Sequence, residues 1–368
     1  MNGPRPRVPR RDLLRLRRFG RALRSETAPR DPVGTLGSAG DLLRASRPGM
    51  GSYFEVRLAA NTPGAVELAT RALDRIDALE EQLTVYRDDS EVSRLNATAH
   101  LGPVEVEAGL FELLRQAVAL GEATGGAYDV TAGALSVAWG FCRGPKRVPD
   151  AESLADARAR TGQHHLTLEP GRNTVAFDRP GVMINLGSIG KGYAIDRAVD
   201  VIRDHWWPTA ALVHGGRSSL YALGSPPGRF GGRWEVALRN PFDPERPLGT
   251  LFLRNRAMGT SGASFQQFEV DGRSYGHILD PRTGAPGVGP ASVTVLARTA
   301  AEADALSTAF YLLGIDGARN YVAEHSEIGA VFVEEGPGGR PRIATLGLGD
   351  EDFTTVVAPL SGGTTATV

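Results

Sequence analysis

From about residue 164 onward, the apolar spacing drops from the three- and four-residue steps of a helix to the two-residue alternation of a strand. This change is what most restricts the fold. Period-two segments at His165–Glu169, Thr174–Asp178 and Val182–Asn185 are separated by turn chemistry at Asn173 and Arg179-Pro180-Gly181. The pattern predicts further strands over 210–214, 219–223, 233–239, 249–254, 274–279, 291–297, 328–333, 341–346 and 353–357. Helical spacing interrupts them at 191–206, 301–313 and 316–325. Upstream, Phe54, Val56 and Leu58 alternate as in a strand, and Val66, Ala69, Leu73, Ile76, Leu79 and Leu83 line one helix face. A second helix is predicted over 108–123, with Leu110, Leu113, Leu114, Ala117 and Leu120 inward and Gly125-Gly126 ending it. Many strands with irregularly interspersed helices predict an α+β fold, a mostly antiparallel sheet flanked by helices. No fixed-period repeat points to a solenoid or propeller.

Composition excludes several function classes. A single cysteine, Cys142, rules out an internal disulfide and any multi-cysteine zinc or iron–sulfur site. No stretch approaches the roughly 20 apolar residues of a membrane span. A net charge of −1 over 368 residues argues against nucleic acid as a partner. That sum hides an asymmetry: the first 47 residues carry twelve Arg against four Asp/Glu, a net +8, so the remainder carries −9. Residues 1–48 are therefore expected to form a basic, disordered arm, 49–358 the folded unit and 359–368 a flexible tail. The run Arg10-Arg11-Asp12-Leu13-Leu14 resembles a twin-arginine export signal, but Arg15, Arg17, Arg18, Arg21 and Arg24 interrupt the apolar core such a signal requires. As written the chain reads as cytoplasmic, with a degenerate export signal or an arm that contacts a membrane face as alternatives. Only two of the 41 basic residues are lysines, Lys146 and Lys191, which hints that an ammonium is wanted there.

Four segments could carry chemistry, and each also has a plain structural reading. Asn185-Leu-Gly-Ser-Ile-Gly-Lys-Gly-Tyr193 lies between a strand and a helix, where glycines, Lys191 and free N–H groups suit an anion or form a tight turn. Its glycine spacing fits neither a Walker A loop nor a dinucleotide fingerprint. His277-Ile-Leu-Asp280-Pro-Arg-Thr-Gly284, downstream of Thr260-Ser261-Gly262, offers a proton acceptor beside a carboxylate, or a surface His beside a capped turn. In Ala303-Asp304-Ala-Leu-Ser307-Thr308, Asp304 and Thr308 share a helix face and could ligate a hard cation such as Mg²⁺. The alternative is ordinary helix-terminus chemistry. Gly125-Gly-Ala-Tyr128-Asp129-Val-Thr131 offers Tyr128 for stacking on a planar ring and Asp129 for its hydrogen bonds, or a helix stop followed by a cap.

Taken together and in order, these segments make the chain similar to the ApbE family of FAD:protein FMN transferases. The matching motifs are Met50-Gly-Ser-Tyr53, Tyr86-Arg-Asp-Asp-Ser-Glu-Val-Ser-Arg-Leu-Asn96, Gly126-Ala-Tyr-Asp-Val-Thr131 and Leu186-Gly-Ser-Ile-Gly-Lys-Gly-Tyr193. They continue with Val213-His-Gly-Gly216, Thr260-Ser-Gly262, the 277–284 segment and Ala303–Thr308. The likeness spans roughly Met50 to Ser326.

The resemblance implies a duplicated T-fold-like architecture with FAD in a cleft. It also implies Mg²⁺-dependent transfer of FMN from FAD to a Thr or Ser hydroxyl in a flavinylation motif of an acceptor flavoprotein, with release of AMP. By the same likeness Mg²⁺ would sit on the Asp304 carboxylate, the Thr308 hydroxyl and the Ser188 carbonyl. Lys191 would face the pyrophosphate. Met50, Tyr86, Ala127, Tyr128, Asp129, Asn185, Ile278 and Ser307 would hold the cofactor. His277 is the candidate acceptor of the hydroxyl proton, with Asp280 orienting its loop. This chain has Asn185, Arg217 and Ala263 where the family commonly has Asp. An FAD pyrophosphatase and a non-catalytic FAD-binding protein are the alternative functions.

Overall fold

The computed structural model describes residues 42–207, 210–227, 232–262 and 266–356. The expected arm up to residue 41, the tail and Ala263 lie outside them. In chain order the elements begin β1 (Leu42–Gly49), β2 (Ser52–Ala59), α1 (Ala65–Leu83), α2 (Glu91–Thr98), β3 (Val104–Glu105), α3 (Ala108–Ala123), α4 (Gly133–Ala138) and α5 (Ala151–Ala159). Then come β4 (Leu166–Glu169), β5 (Thr174–Phe177), α6 (Gly190–Arg203), β6 (Ala211–Gly215), β7 (Ser219–Leu223), β8 (Trp234–Leu238), β9 (Gly249–Leu253) and β10 (Arg256–Ser261). The chain continues with β11 (Gln267–Val270), β12 (Arg273–Gly276), β13 (Ser292–Ala297), α7 (Ala300–Glu324), β14 (Gly329–Glu335), β15 (Pro341–Leu346) and β16 (Phe353–Thr355). Among these no helix is long and apolar enough to cross a membrane.

Eight strands form the central antiparallel sheet, in the order β1-β2-β6-β7-β10-β13-β14-β15. Both of its faces are covered, so its inner strands are apolar on both sides. Val213, Tyr221, Ala257, Val295 and Phe332 point into the core shared with α1, α6 and α7. Their neighbours Leu212, Leu220, Met258, Leu296 and Val331 point into a second core under the β16-β9-β8 sheet. The mostly antiparallel α+β expectation therefore holds.

The arm boundary at 48 does not. β1 pairs with β2 along its whole length, from Leu42–Ala59 to Gly49–Ser52. It is an edge strand with Arg44, Ser46 and Pro48 exposed, and Arg47 donates to both Asp77 and, at 2.8 Å, Asp74. Such polar spacing reads as a tail. The hairpin closes through Met50 and Gly51, both at positive φ (48° and 69°). Among the described residues the other non-glycine positions with positive φ are Asn and Asp, which tolerate it, so Met50 is the strained one.

The segment Val182–Asn185 does not join a ladder as predicted. Its polar backbone is satisfied otherwise: the Asn96 amide donates to the Ile184 carbonyl at 2.9 Å and accepts from the Ile184 N–H at 2.8 Å. The Asn185 N–H donates to the Val130 carbonyl at 2.8 Å. The predicted helices 301–313 and 316–325 form α7, broken at Gly314 (φ 67°, ψ −178°).

β2 and β6 also bury an ionic cluster. The fully buried Arg57 donates to Glu55, and His214 Nε2 lies 3.4 Å from the same carboxylate. Burial alone would raise Glu55, but hydrogen bonds from His214 and Arg57 outweigh it and hold the carboxyl down at about 2. A depressed glutamate contributes stability that is present above the ordinary glutamate range and is lost as pH falls toward that value. The contribution is on the order of 3 kcal/mol. Glu55→Gln should lower the denaturation midpoint at neutral pH and flatten its decline toward about pH 3. Parallel declines in the two proteins would remove Glu55 from the acid response.

Candidate active site

One end of the central sheet gathers the functional groups. The β1–β2 turn, the C-terminal ends of β6 and β10 and the start of β7 all lie there. Gly216 N–H donates to the Tyr53 carbonyl at 2.6 Å and Thr260 N–H to the Ser218 carbonyl at 2.7 Å. The first turns of α6 and α7 cross over this end.

The two helices hold each other by reciprocal hydrogen bonds. Asp196, buried on α6, accepts the N–H groups of Ala300 and Ala301 at 2.8 and 2.9 Å and so caps α7. Burial pushes the Asp196 carboxyl up to about 7 against those two bonds. In return Asp304, on α7, accepts the Gly192 N–H of α6 at 2.9 Å on Oδ2. Its Oδ1 accepts the Ser219 hydroxyl at 2.7 Å. The approach depends on glycines: a Cβ on Gly192 would lie 2.1 Å from the Ala300 carbonyl oxygen, and one on Gly259 would lie 2.4 Å from the Ala303 carbonyl carbon. Because Asp304 takes the Gly192 N–H, that group is not available to an anion as the α6 terminus alone suggested.

Asp304 is only 7% exposed. Burial pushes its carboxyl up to about 6, opposed by Lys191, the Ser219 hydroxyl and the Gly192 N–H. A carboxylate so poor in water favours a cation beside it. Hydroxyls surround it: Ser307 Oγ donates to the Asp304 carbonyl at 2.9 Å, and Ser261 Oγ lies 2.8 Å from Ser307 Oγ and 3.1 Å from Thr308 Oγ1. The Tyr128 hydroxyl is buried beside Ser188 and Asp304, with no hydrogen-bond partner among the described residues. Burial raises the Tyr128 pKa above the ordinary tyrosine value. One carboxylate, several hydroxyls and an orphaned oxygen suit a hard ion such as Mg²⁺, which keeps part of its shell for water and phosphate. Among the described residues no group of three or more His, Cys, Asp or Glu side chains gathers, so the softer multi-ligand sites are not offered.

Lys191 stands between the two halves of the site. Its Nζ donates to Ser218 Oγ at 2.8 Å, and its charge acts on both Asp304 and His277. His277 Nδ1 lies 3.1 Å from the Gln266 carbonyl oxygen. A carbonyl only accepts, so Nδ1 carries the proton and Nε2 presents a lone pair. Burial lowers the His277 pKa, and Lys191 and Lys146 add to that effect. The imidazole is therefore neutral near pH 7. Asp280 does not touch it. Its carboxylate binds Arg282 through Oδ1 (2.9 Å) and Oδ2 (2.8 Å), and its carbonyl accepts the Gly284 N–H at 2.7 Å. Asp280 shapes its own loop through these bonds and does not reach His277.

The remaining candidates divide. Tyr128 (1% exposed) keeps its ring in the core, so it offers its hydroxyl and not a stacking face. Asp129 accepts the Thr131 N–H and hydroxyl and the Gln163 N–H, at 2.8, 2.6 and 3.0 Å. It therefore organises its own loop, the capping alternative. Asn185 Oδ1 accepts the Gly187 N–H at 2.9 Å, a turn bond that needs no charge. Ala127, Ile278 and Ser307 are buried. Tyr86 is 68% exposed beside Cys142, and the adjacent Phe141 packs its edge on His277 at 6.4 Å. Its ring is thus free to stack at the rim. Asp196, Ser218 and Ser219 were not singled out from the sequence. Only the Ser-Ser pair directly after Gly215-Gly216-Arg217 carried any local signal.

Known proteins similar to this chain identify its family. The family profile described as ApbE family matches residues 50–332. The FAD:protein FMN transferase of Vibrio cholerae is 33% identical over 297 residues, 78% of this chain and 86% of that protein. The one from Treponema pallidum is 31% identical over 320 residues, 82% and 87% respectively. Among solved structures, the ApbE protein of Thermotoga maritima superposes with a TM-score of 0.75 at 29% identity, covering 82% of this chain and 96% of that one. The flavin transferase ApbE of Vibrio cholerae gives 0.73 at 28%, covering 83% and 97%.

Proposed function

The chain belongs to the ApbE family, and from that premise we propose that it is an FAD:protein FMN transferase. The observation that carries the reading is the convergence of Asp304, Lys191 and His277 at one end of the sheet, where burial perturbs Asp304 and His277 and the Lys191 charge acts on both.

In this reading FAD is the FMN donor and a Thr or Ser hydroxyl in a flavinylation motif of a protein is the acceptor. His277 Nε2 takes the hydroxyl proton. The hydroxyl oxygen bonds to the phosphorus on the FMN side of the pyrophosphate, and the P–O bond to AMP breaks. Lys191 balances charge on the pyrophosphate as a point cation. Asp304, Thr308 and the Ser188 carbonyl would hold Mg²⁺, with the Tyr128 hydroxyl turned toward the same space. The ion would supply charge neutralisation at the transferring phosphoryl group. Tyr86, exposed at the rim, is the side chain best placed to stack on a planar ring.

The test is an intact-mass and AMP assay with FAD, Mg²⁺ and a protein bearing a flavinylation motif. A mass gain equal to FMN on the acceptor, matched by AMP, supports transfer. AMP without mass gain supports hydrolysis of FAD by water, and neither product supports a binding protein. His277→Asn should lower transfer by about 10²–10⁴-fold, the usual range for a lost general base. In the parent enzyme the rate should fall on the acid side only below the ordinary histidine value of about 6.5, because the neutral imidazole is the active form and its pKa is lowered. An acid limb centred above that value would assign the base elsewhere.

A further inference from the structure

β11 and β12 form a two-stranded hairpin that stands apart from the central sheet and leads directly into His277. Asp271 and Gly272, both at positive φ (52° and 72°), make its two-residue turn, the kind that matches strand twist. Phe268 and Tyr275 face each other across the pair and stack at 5.4 Å. Tyr275 rests on Trp139 and Phe268 on Phe141, with ring centroids 5.5 Å apart in both contacts. One face of the hairpin is thus anchored, and His277 meets the same Phe141 on that face. The other face shows Gln267, Glu269 and Ser274 to solvent.

Register decides which way the backbone of each strand points. The His277 N–H donates to the Gln266 carbonyl at 3.1 Å, so these two residues bond toward each other. Alternation along an antiparallel pair then turns the N–H and C=O of Ser274 and Gly276 outward, away from β11. It likewise turns those of Gln267 and Glu269 outward on the far side. There Lys146 Nζ donates to the Gln267 carbonyl at 3.4 Å, so that edge is partly taken. Beyond β12 no strand lies among the described residues, and no backbone group bonds to Ser274 or Gly276 there. Neither residue has the charge or the proline ring that commonly closes an edge to pairing.

We propose that the outer edge of β12 is the docking site for the acceptor protein, which adds an extended segment to the hairpin as a third, antiparallel strand. This rests on the transferase reading, in which a polypeptide hydroxyl must come to His277. Ladder bonds to Ser274 and Gly276 make the position opposite His277 a non-hydrogen-bonded pair, where side chains approach most closely. His277 lies on the face of Tyr275, two residues before it, and an acceptor residue opposite His277 lies on that face too. A Thr or Ser at that place sets its hydroxyl beside the imidazole. Main-chain bonds supply the affinity whatever the flanking side chains, as in other strand additions.

Ser274→Pro tests the edge. The Ser274 N–H bonds nothing within the hairpin, so a proline there removes the outward donor and leaves the ladder to β11 intact. With FAD, Mg²⁺ and a protein bearing a flavinylation motif, kcat/KM for the acceptor should fall about tenfold or more. The FAD dissociation constant, read by flavin fluorescence, should stay at the parental value, which also shows that the site is folded. Glu269→Pro removes the matching outward N–H of β11 and should transfer like the parent. Hydrogen exchange on the parent gives a second readout without any variant. The Ser274 and Gly276 amides should exchange freely alone and slow about tenfold or more when the acceptor is added without FAD. The Tyr275 amide, bonded to β11, should be protected in both. Equal acceptor kinetics in parent and Ser274→Pro, or unslowed Ser274 and Gly276 amides, overturn the proposal while the transferase reading stands. So does a concentration-dependent dimer that already protects these amides in the free protein. A parent that labels no acceptor overturns the transferase reading, and the docking site falls with it.

Discussion

Asp304→Ala is expected to lower FMN transfer by about 10²–10³-fold while the chain stays folded. The residue supplies the single carboxylate of its cluster, and its neighbours there are uncharged hydroxyls. A metal ion that stabilises a transferring phosphoryl group contributes several kcal/mol, and each 1.36 kcal/mol is tenfold in rate. Loss of the carboxylate should therefore show in kcat and in the Mg²⁺ concentration needed for half-maximal rate. The stability change should be small, because two effects oppose. A desolvated carboxyl disappears, while the Ser219 hydroxyl and the Gly192 N–H lose their acceptor. Asp304→Asn keeps the shape and an acceptor oxygen and should be as inactive. Near-parental transfer by the Asn variant would remove Asp304 from the proposed Mg²⁺ site. Collapse of both variants on heating would make the residue structural instead.

Gly192→Ala is expected to do the reverse, lowering stability first and activity through it. The added Cβ would meet the Ala300 carbonyl oxygen at 2.1 Å and the Ala301 N at 2.6 Å, both backbone atoms of the first turn of α7. Neither can swing away as a side chain could, so α6 and α7 must part. Overpacking of this kind costs about 3 kcal/mol, a fall in Tm of roughly 6 °C or more. Separation also pulls the Gly192 N–H from Asp304, so transfer should drop even well below Tm. Gly190→Ala is the matched control. It sits in the same turn, its φ is not in the left-handed region and its Cβ would find only Leu186 Cβ at an ordinary 3.5 Å. An unchanged Tm in Gly192→Ala, measured beside that control, would show that the helices have slack between them.

Local pattern was legible where it rests on local spacing. The i,i+4 relation of Asp304 and Thr308 placed both on one helix face, and the strand–glycine–helix order around Lys191 placed that lysine at the start of α6. The break at Gly314 separates the two predicted helices of α7. What the sequence hid are contacts closed over long separations. Asp196 finds Ala300 across 104 residues and Ser219 finds Asp304 across 85. Nothing near either residue announces its partner. Val182–Asn185 looked like a strand because its alternation is real, yet Asn96, 88 residues upstream, takes its polar backbone instead. Asp129 and Asp280 were harder still, because a carboxylate that shapes a loop and one that contacts a ligand use the same residue type. The bonds to Thr131 and to Arg282 separate the two possibilities. β1 failed for a simpler reason: an edge strand that shows water Arg44, Ser46 and Pro48 has the composition of a tail.

That polar edge is also a guard. β2 alternates buried apolar residues, Phe54, Val56 and Leu58, on a backbone whose outer row of N–H and C=O groups is satisfied by β1 alone. The family match begins at Met50, so trimming the chain to it would strip β1 and turn this sticky inner strand into a bare rim. Such a rim recruits strands from other molecules, whereas the arginines and proline of β1 repel them. Eight residues outside the recognisable family region thus cover an edge that would otherwise offer itself to strands of other molecules.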